Sequence, residues 1–257
     1  QKRIENIKHK IIVLSGKGGV GKSTVAVNLA ISLSLQANTV GLLDIDLHGP
    51  SIPHLLNLEG NTITMEGNDL IPVSIGDNLK VISIGFMVRE KDDPIIWRGP
   101  LKMGAIKQFL KDVNWGSLDY LVIDSPPGTG DEPLSICQLI NNLSGAVIVT
   151  TGQELAITDV RRCVNFCKRL NLNILGVIEN MSGFKCPKCG EVTNIFSKGG
   201  GEKMARDMGI PFLGEIPIDP DIVTACDKGT PYIYHYSKTD TAKIFEDIVK
   251  KITENIK

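Results

Sequence analysis

The sequence lacks three features that would each point to a class of function. No apolar run approaches the roughly 20 residues that a helix needs to cross a bilayer. The formal net charge is −1, so there is no broad basic excess of the kind that proteins coating DNA or anionic membrane carry. The first residues, Gln1-Lys2-Arg3-Ile4-Glu5, are rich in charged side chains and lead into the first predicted strand, unlike a secretion signal. We therefore expect a cytoplasmic protein that binds neither nucleic acid nor membrane.

Cysteine is also scarce, with six residues in a chain of 257. Cysteines in a chain that has no secretion signal are usually reduced thiols or metal ligands. We therefore do not expect a disulfide framework. Hydrophobic residues make up 42% of the chain, which is enough to build a core. No repeat, low-complexity tract or linker divides the sequence. We expect residues 1–257 to form a single domain with one inserted loop around 179–197, which carries Cys186 and Cys189.

Short apolar runs alternate with helical patterns along the chain. Many of the runs show no polar alternation, as is typical of strands buried on both faces of a parallel sheet. The pattern predicts an α/β fold with a doubly wound, mostly parallel sheet and helices on both faces. Predicted strands are 10–15, 40–44, 79–84, 119–124, 145–150, 173–178 and 212–216. Predicted helices are 22–36, 100–112, 131–142, 155–170, 196–208 and 239–255, and residues 61–78 are a predicted hairpin.

Residues 16–23 (GKGGVGKS) match the phosphate-binding pattern G-x-x-x-x-G-K-[ST], between an apolar run and a helical stretch. Glycines let successive backbone N–H groups face phosphate, and the helix N-terminus adds partial positive charge. Lys22 is expected to reach the β- and γ-phosphates, and the Ser23 hydroxyl to bind Mg²⁺. The predicted nucleotide-binding residues of this loop are Gly16, Gly18, Gly19, Val20, Gly21, Lys22, Ser23 and Thr24.

Acidic residues follow two of the predicted strands. Asp46 lies just after the second strand and Asp124 ends the fourth, in a good match to a Walker B motif. Beside a phosphate loop, such carboxylates can hold a Mg²⁺-bound water or the attacking water. We expect Asp124 to hold the magnesium through water. The Pro/Gly segment after it, 125–130, is predicted to sense the γ-phosphate.

Cys186-Pro187-Lys188-Cys189-Gly190 has the spacing of a metal-binding turn, which points two sulfurs the same way. Zinc and iron–sulfur clusters both prefer four ligands, usually thiolates. Cys163 and Cys167 are four apart on a predicted helix and are predicted to be core thiols, while Cys137 and Cys226 are isolated. The simplest source of the two missing ligands is the same turn on a symmetry-related chain, which predicts a homodimer.

Lys17 together with Lys22 forms the deviant Walker A signature, so the chain resembles the MinD/ParA/nitrogenase-iron-protein class of P-loop ATPases. The resemblance implies that Lys17 acts across a dimer on the partner's nucleotide and that Asp46 orients the attacking water. The implied catalytic residues are thus Lys17, Lys22 and Asp46. It also implies that Asn180 contacts adenine and that Pro217 lines the base pocket.

A narrower resemblance covers residues 9–235. The deviant Walker A, the C-x-x-C pair, the stretch 44–53 (DIDLHGPSIP) and the segment 124–131 are together similar to the Mrp/ApbC family of iron–sulfur cluster carrier ATPases. This implies an enzyme that uses ATP and Mg²⁺, holds a labile [4Fe–4S] cluster between two subunits at Cys186 and Cys189, and transfers it to apo-proteins.

Other functions stay open at this point. A MinD/ParA-like positioning or scaffold ATPase could hold structural zinc at its dimer interface, since Zn²⁺ also accepts four cysteines. A membrane-binding C-terminal helix would fit that class, and the tail has apolar residues at helical spacing, although mixed charges on its other face favour packing on the core. A reductase like the nitrogenase iron protein is disfavoured, because segment 124–133 contains no cysteine. The metal bound by protein isolated without oxygen, iron or zinc, distinguishes the cluster carrier from the zinc-binding scaffold ATPase.

Overall fold

The computed structural model of the protein describes residues 2–46, 49–87, 99–236 and 238–256. Its strands, in chain order, are His9–Ser15 (β1), Val40–Asp44 (β2), Thr64–Glu66 (β3), Asp69–Ile71 (β4), Val73–Ile75 (β5), Leu79–Ser83 (β6), Tyr120–Asp124 (β7), Gly145–Thr150 (β8), Ile174–Glu179 (β9), Phe184–Lys185 (β10), Val192–Thr193 (β11) and Phe212–Glu215 (β12). Its α-helices are Lys2–Glu5 (α1), Lys22–Leu35 (α2), Ile52–Leu55 (α3), Gly99–Asp112 (α4), Asp131–Leu139 (α5), Glu154–Arg169 (α6), Gly200–Met208 (α7), Pro220–Asp227 (α8), Tyr232–His235 (α9) and Asp240–Asn255 (α10). A 3₁₀ helix spans Ile84–Met87.

Within the described residues, eight strands form one sheet in the order β12-β9-β8-β1-β7-β2-β6-β5. Neighbouring strands are parallel except β5 and β6, which are antiparallel. Strand β1 lies between β7 and β8, near the centre of the sheet. Because parallel strands end at the same edge, the segments that follow β1, β2, β7 and β9 meet there.

The central strands are apolar because both of their faces are covered. All residues of β2 and β8 are buried, and so is β1 after His9. Helix α2 packs against β1, β2 and β7 and is itself covered by α10 and α9. Helices α6 and α7 pack on each other and against β8 and β9. The predicted α/β class, with a doubly wound and mostly parallel sheet, is confirmed.

The predicted boundaries of several elements are shifted in the structure. Helix α5 ends at Leu139 and not at 142, where Asn142 has the left-handed φ of 57°. Helix α7 begins at Gly200 and not at 196. Residues 61–78 contain the predicted hairpin, β3 with β4, but also β5, which extends the main sheet. Helix α8 was not predicted, although Asp219 followed by Pro220 is a helix-start signal and the Asp219 carboxylate accepts from Asp221 N.

The C-terminal helix is part of the core. In α10, the apolar side chains of Phe245, Ile248, Val249 and Ile252 are at most 2% exposed, and the helix packs against α2 and β12. The predicted core-packed terminal helix is therefore confirmed. Among the helices of the described residues, none is both long and apolar enough to cross a membrane.

Candidate functional site

The glycine-rich loop 16–23, here called the nucleotide loop, connects β1 to α2 at the centre of the sheet. Gly19 and Gly21 both have φ of 80°, a conformation that L side chains rarely adopt. A Cβ on Gly21 would collide with the side-chain amide of Asn180. A Cβ on Gly16 would lie 2.5 Å from the Asp159 carbonyl carbon, so α6 fixes the start of the loop. A Cβ on Gly18 or Gly19 would meet no other atom within 4 Å.

Lys22, the first residue of α2, is enclosed by carboxylates from neighbouring strands. Its Nζ lies 2.5 Å from Asp124 Oδ1 and 3.4 Å from Asp46 Oδ2, and its side chain is only 6% exposed. The Ser23 hydroxyl is 3.3 Å from the same Nζ. Burying a charge is costly unless it is paired, so these contacts stabilise the lysine between two strand ends. The structure thus brings Lys22, Ser23, Asp46 and Asp124 together, as the sequence predicts.

Asp44 adds a third carboxylate to this cluster. It is fully buried, accepts a hydrogen bond of 2.7 Å from Ser83 Oγ, and accepts another from the Asp46 backbone N–H. Burial and the neighbouring Asp124 carboxylate raise the pKa of Asp44 to about 8. Burial also raises the pKa of Asp124, opposed by the positive charge of Lys22. Two of the three carboxyl groups are therefore shifted toward the protonated form.

The residues predicted to hold magnesium fit that ion. Asp124 Oδ2 is buried and has no hydrogen-bond partner among the described residues, which is costly for a carboxylate oxygen. Ser23 Oγ lies beside the same cluster. Mg²⁺ prefers such hard oxygen ligands and retains several waters. The donor set is suitable for Mg²⁺ bound directly by Ser23 and through water by Asp124.

The segment after β7, predicted to sense the γ-phosphate, lies against the start of the nucleotide loop. Gly128 N donates to Ser15 O at 2.8 Å, and Ser125 Oγ donates to Val13 O at 2.9 Å. Lys17 is a half-buried residue of the nucleotide loop itself, and Ser15 Oγ donates to its carbonyl oxygen. The role of Lys17 toward a partner's nucleotide stays a prediction. In the stretch 44–53, Leu47 and His48 lie outside the described residues.

Asn180 closes the other side of the nucleotide loop. It directly follows β9, and its side-chain amide donates to Val20 O at 2.9 Å. Pro217 is on the adjacent segment after β12, where Ile216 N donates to Glu179 O. The structure therefore brings Asn180 to the loop and places Pro217 next to the strand end that carries it. Their contacts with a nucleotide base stay predictions.

Cys186 and Cys189 lie in the turn that joins the short antiparallel strands β10 and β11, and residues 184–193 are here called the cysteine hairpin. Cys186 N donates to Glu191 O, Gly190 N donates to Cys186 O, and Gly190 has φ of 76°. Hydrogen bonds from the backbone N–H groups of Cys189 and Lys188 lower the pKa of the Cys186 thiol. Cys189 is exposed. A turn that presents two accessible sulfurs and favours thiolate is suited to a soft metal.

The four other cysteines do not complete this metal site. Cys163 and Cys167 are fully buried in α6, which confirms the prediction of core thiols. Burial raises the pKa of Cys137 to about 12, which makes it a poor ligand at neutral pH. Throughout the described part of the chain, no group of three or more His, Cys, Asp or Glu side chains is arranged to hold a metal ion. One chain thus offers two thiolates from the cysteine hairpin.

Sequence reasoning missed several residues of this region. Ser83 contacts Asp44 only because β6 lies beside β2, which no local motif reveals. Cys226 Sγ lies 4.0 Å from Thr24 Oγ1, since α8 packs near the nucleotide loop. Glu179, fully buried at the end of β9, accepts hydrogen bonds from both ends of the inserted segment. The position of Glu179 just before Asn180 was the one available signal for it.

Comparison with known proteins shows the family of the chain. A family model described as NUBPL iron-transfer P-loop NTPase (ParA) matches residues 6–253. The "Iron-sulfur cluster carrier protein" of Methanocaldococcus jannaschii is 51% identical over 257 residues, which is 100% of this chain and 88% of that protein. The "Cytosolic Fe-S cluster assembly factor NUBP2 homolog" of Nematostella vectensis is 49% identical, over 97% of this chain and 94% of that protein. The chain belongs to the NUBPL iron-transfer family of P-loop NTPases, which confirms the family predicted from the motifs.

Solved structures confirm the fold. A nucleotide-binding protein from Archaeoglobus fulgidus, in complex with ADP and with cobalt found by PIXE, is 41% identical with a TM-score of 0.80. The match covers 95% of this chain and 94% of that one. The cell-division ATPase MinD of Pyrococcus furiosus has a TM-score of 0.71 at 24% identity, over 96% of this chain and 99% of that one. The latter likeness shows the shared P-loop fold.

Proposed function

We propose that this member of the iron-transfer family is an ATP-hydrolysing carrier that holds a labile [4Fe–4S] cluster between two subunits and delivers it to apo-proteins. The observation that carries the proposal is the cysteine hairpin. It presents two accessible sulfurs on the same chain as a complete nucleotide loop, but it supplies only half of the four ligands that a cluster requires. The names of the relatives from Methanocaldococcus jannaschii and Nematostella vectensis support iron–sulfur cargo.

The nucleotide half of the function rests on the buried cluster around Lys22. On binding ATP, Lys22 would exchange its contacts with Asp46 and Asp124 for phosphate oxygens, while the backbone N–H groups of the loop cradle the phosphates. Asp46, 7% exposed, is then released to orient the attacking water. Lys17 of each chain is proposed to stabilise phosphate charge across the dimer. When bound, Mg²⁺ neutralises charge on the phosphates.

The cluster half of the function requires a second chain. Two cysteine hairpins related by a two-fold axis provide four thiolates at that axis. Two large apolar side chains of this region, Val192 and Ile195, are 58% and 55% exposed, which suits a surface that another subunit covers. The lowered pKa of Cys186 favours thiolate and hence ligation. We therefore propose a homodimer whose partners in function are apo iron–sulfur proteins.

A positioning function at a membrane is disfavoured by α10. Its apolar side chains pack against α2 and β12, so they are not available to insert into lipid. Structural zinc at the same four thiolates remains the outcome that the test below distinguishes. Cytosolic location is part of the proposal, in line with the name of the Nematostella vectensis relative.

The test is anaerobic reconstitution with iron and sulfide, comparing wild type with Cys186→Ala/Cys189→Ala and with Cys137→Ser as the matched control. We expect about four irons and four sulfides per dimer in wild type and in the control, and none in the double variant. Binding of ADP should be retained by the double variant, because the nucleotide loop and the side chains around Lys22 belong to a single chain. Zinc in wild type without cluster uptake would leave a dimeric ATPase with a structural metal.

A further inference from the structure

One buried carboxylate contacts both ends of the segment that carries the cysteine hairpin. Glu179 Oε1 accepts a hydrogen bond of 2.8 Å from Ser182 Oγ, where the segment leaves the sheet. The same oxygen accepts from Gly199 N at 2.9 Å, and Oε2 accepts from Gly201 N at 2.6 Å, where the segment returns. Residues 182 and 199 are thus joined by a single side chain.

The environment of Glu179 shows how much the structure relies on these donors. Its side chain is fully buried, and among the described residues no lysine, arginine or histidine pairs with it. A buried carboxylate is unfavourable unless hydrogen bonds replace its hydration. Those bonds come from one hydroxyl and from two backbone N–H groups at the start of α7, whose dipole also favours a negative charge. Loss of either carboxylate oxygen would leave donors buried without partners.

Backbone contacts extend the connection from Glu179 to the cysteine hairpin. Ser182 N donates to Ile216 O, and Ile218 N donates to Gly183 O, next to the first residue of β10. Phe184 forms an isolated bridge with Ile218. At the returning end, Lys198 Nζ lies 3.0 Å from Glu215 Oε2, a partly exposed pair. The side chain of Glu179 is the element that joins the two ends to each other.

We propose that Glu179 is a positioning residue for the metal site: by holding Ser182, Gly199 and Gly201 together, it fixes the orientation in which Cys186 and Cys189 meet the partner's hairpin. The proposal rests on the function proposed above. A four-thiolate site tolerates little error in sulfur positions, so a hairpin with one loose end binds metal less tightly. The nucleotide loop is held by other contacts, namely Gly16 against Asp159 and the Asn180 side-chain amide on Val20 O. We therefore expect the affinity for nucleotide not to depend on the Glu179 carboxylate.

The experiment titrates the 257-residue protein with Co²⁺ alone under anaerobic conditions and follows the thiolate-to-cobalt charge-transfer absorption. Glu179→Gln keeps the side-chain length but places an N–H donor against a backbone N–H. We expect it to weaken Co²⁺ binding at least tenfold while the affinity for fluorescent ADP stays within threefold. Ser182→Ala frees only the leaving end and is expected to weaken Co²⁺ binding about threefold.

Asp119→Asn is the matched control. The Asp119 carboxylate also accepts three hydrogen bonds, from Lys8 Nζ at 2.5 Å, Thr39 N at 2.9 Å and Thr39 Oγ1 at 2.7 Å. However, Asp119 lies just before β7, where the parallel strands begin, whereas Glu179 lies where β9 ends. We expect lower stability with unchanged Co²⁺ affinity. An equal loss of Co²⁺ affinity in Asp119→Asn and Glu179→Gln overturns the proposal, and so does an unchanged affinity in Glu179→Gln.

Two further outcomes are also decisive. If Glu179→Gln does not fold, Ser182→Ala decides alone, and an unchanged Co²⁺ affinity there overturns the positioning role. If wild type itself shows no thiolate-to-cobalt absorption, the function proposed for the cysteine hairpin fails first. A wild type that binds Co²⁺ through thiolates, with both Glu179→Gln and Ser182→Ala equal to it, removes only the role of Glu179.

Discussion

The nucleotide loop and the cysteine hairpin are built in opposite ways. The loop follows the central strand β1. The side chain of its Lys22 is 6% exposed and is already paired with two carboxylates of the same chain. The hairpin has two strands of two residues each, with an exposed Cys189 and exposed apolar neighbours. Both turns contain glycine with φ near 80°, at Gly21 and Gly190. The loop glycine is packed against Asn180, whereas the hairpin glycine faces open space.

This difference indicates which site a single chain can complete. A preorganised phosphate site needs fixed donors and a low-dielectric surrounding, and the centre of the sheet supplies both. A site that must release its cargo benefits from accessible ligands, half of which are contributed by another molecule. The difference predicts that substitutions in the loop affect stability and hydrolysis, and that substitutions at the hairpin affect metal binding and assembly.

The largest expected effect is a loss of ATP hydrolysis without loss of nucleotide binding or of iron uptake. Asp46→Asn removes the carboxylate proposed to orient water, so the rate of ATP hydrolysis should fall about 100-fold or more. Affinity for ADP should stay within threefold, and iron uptake at the hairpin should not change. Asp77→Asn, an exposed carboxylate in the turn before β6, is the control and should hydrolyse ATP normally. Hydrolysis at the wild-type rate in Asp46→Asn would show that another group positions the water.

The second effect tests packing around two glycines of similar conformation. A Cβ added at Gly190 would meet no other atom within 4 Å. Gly190→Ala should therefore lower the free energy of unfolding by about 1 kcal/mol, because of the left-handed backbone alone. Gly21→Ala adds a collision with Asn180 and should cost about 3 kcal/mol. Urea unfolding of the two variants gives both values. Equal losses would contradict the claim that the loop is tightly packed and the hairpin open.

The third effect is a pH dependence that belongs to the loop region. The pKa of Asp44 is raised to about 8 from an ordinary value of 3.8, so between these pH values the folded state binds the extra proton. The contribution of Asp44 to the free energy of unfolding is fully present below about pH 4 and is lost as the pH rises through about 8. In protein free of nucleotide and magnesium, Asp44→Asn should reduce that loss by up to about 1.4 kcal/mol per pH unit.

The control for this pH effect has the opposite sign. Hydrogen bonds from Lys8 and Thr39 lower the pKa of Asp119, so its contribution to stability is present above about pH 4 and lost on acidification. Asp119→Asn should therefore change the pH dependence of unfolding only in acid. A neutral-pH slope that is the same in wild type and in Asp44→Asn would show that Asp44 ionises normally.

The smallest effect concerns assembly. Ile195→Ser removes an exposed apolar side chain near the cysteine hairpin, and the dissociation constant of the metal-loaded dimer should rise about fivefold. Leu35→Ser is the matched control, since Leu35 is 50% exposed at the far end of α2. Sedimentation at several concentrations measures both constants. A dimer equally sensitive to both substitutions would place the interface elsewhere.

The sequence predicted the elements that carry strong local signals. Buried strands and the GKGGVGKS loop follow from apolar runs and glycine spacing, and the structure brings Lys22, Asp46 and Asp124 together as the strand order requires. The pairing of Ser83 with Asp44 was not predictable, because it depends on which strand lies beside β2. Glu179 was missed for a similar reason, since its two partners at the returning end of the segment, Gly199 and Gly201, are 20 and 22 residues away.

The most direct test of the bridging site is native mass spectrometry of the reconstituted wild-type protein under anaerobic conditions. The predicted species is two chains with one [4Fe–4S] cluster, which dissociates to cluster-free monomers when the cluster is removed by a chelator. A single chain that retains its own cluster, or a dimer with one metal centre in each chain, would contradict the claim that the two cysteine hairpins share one site.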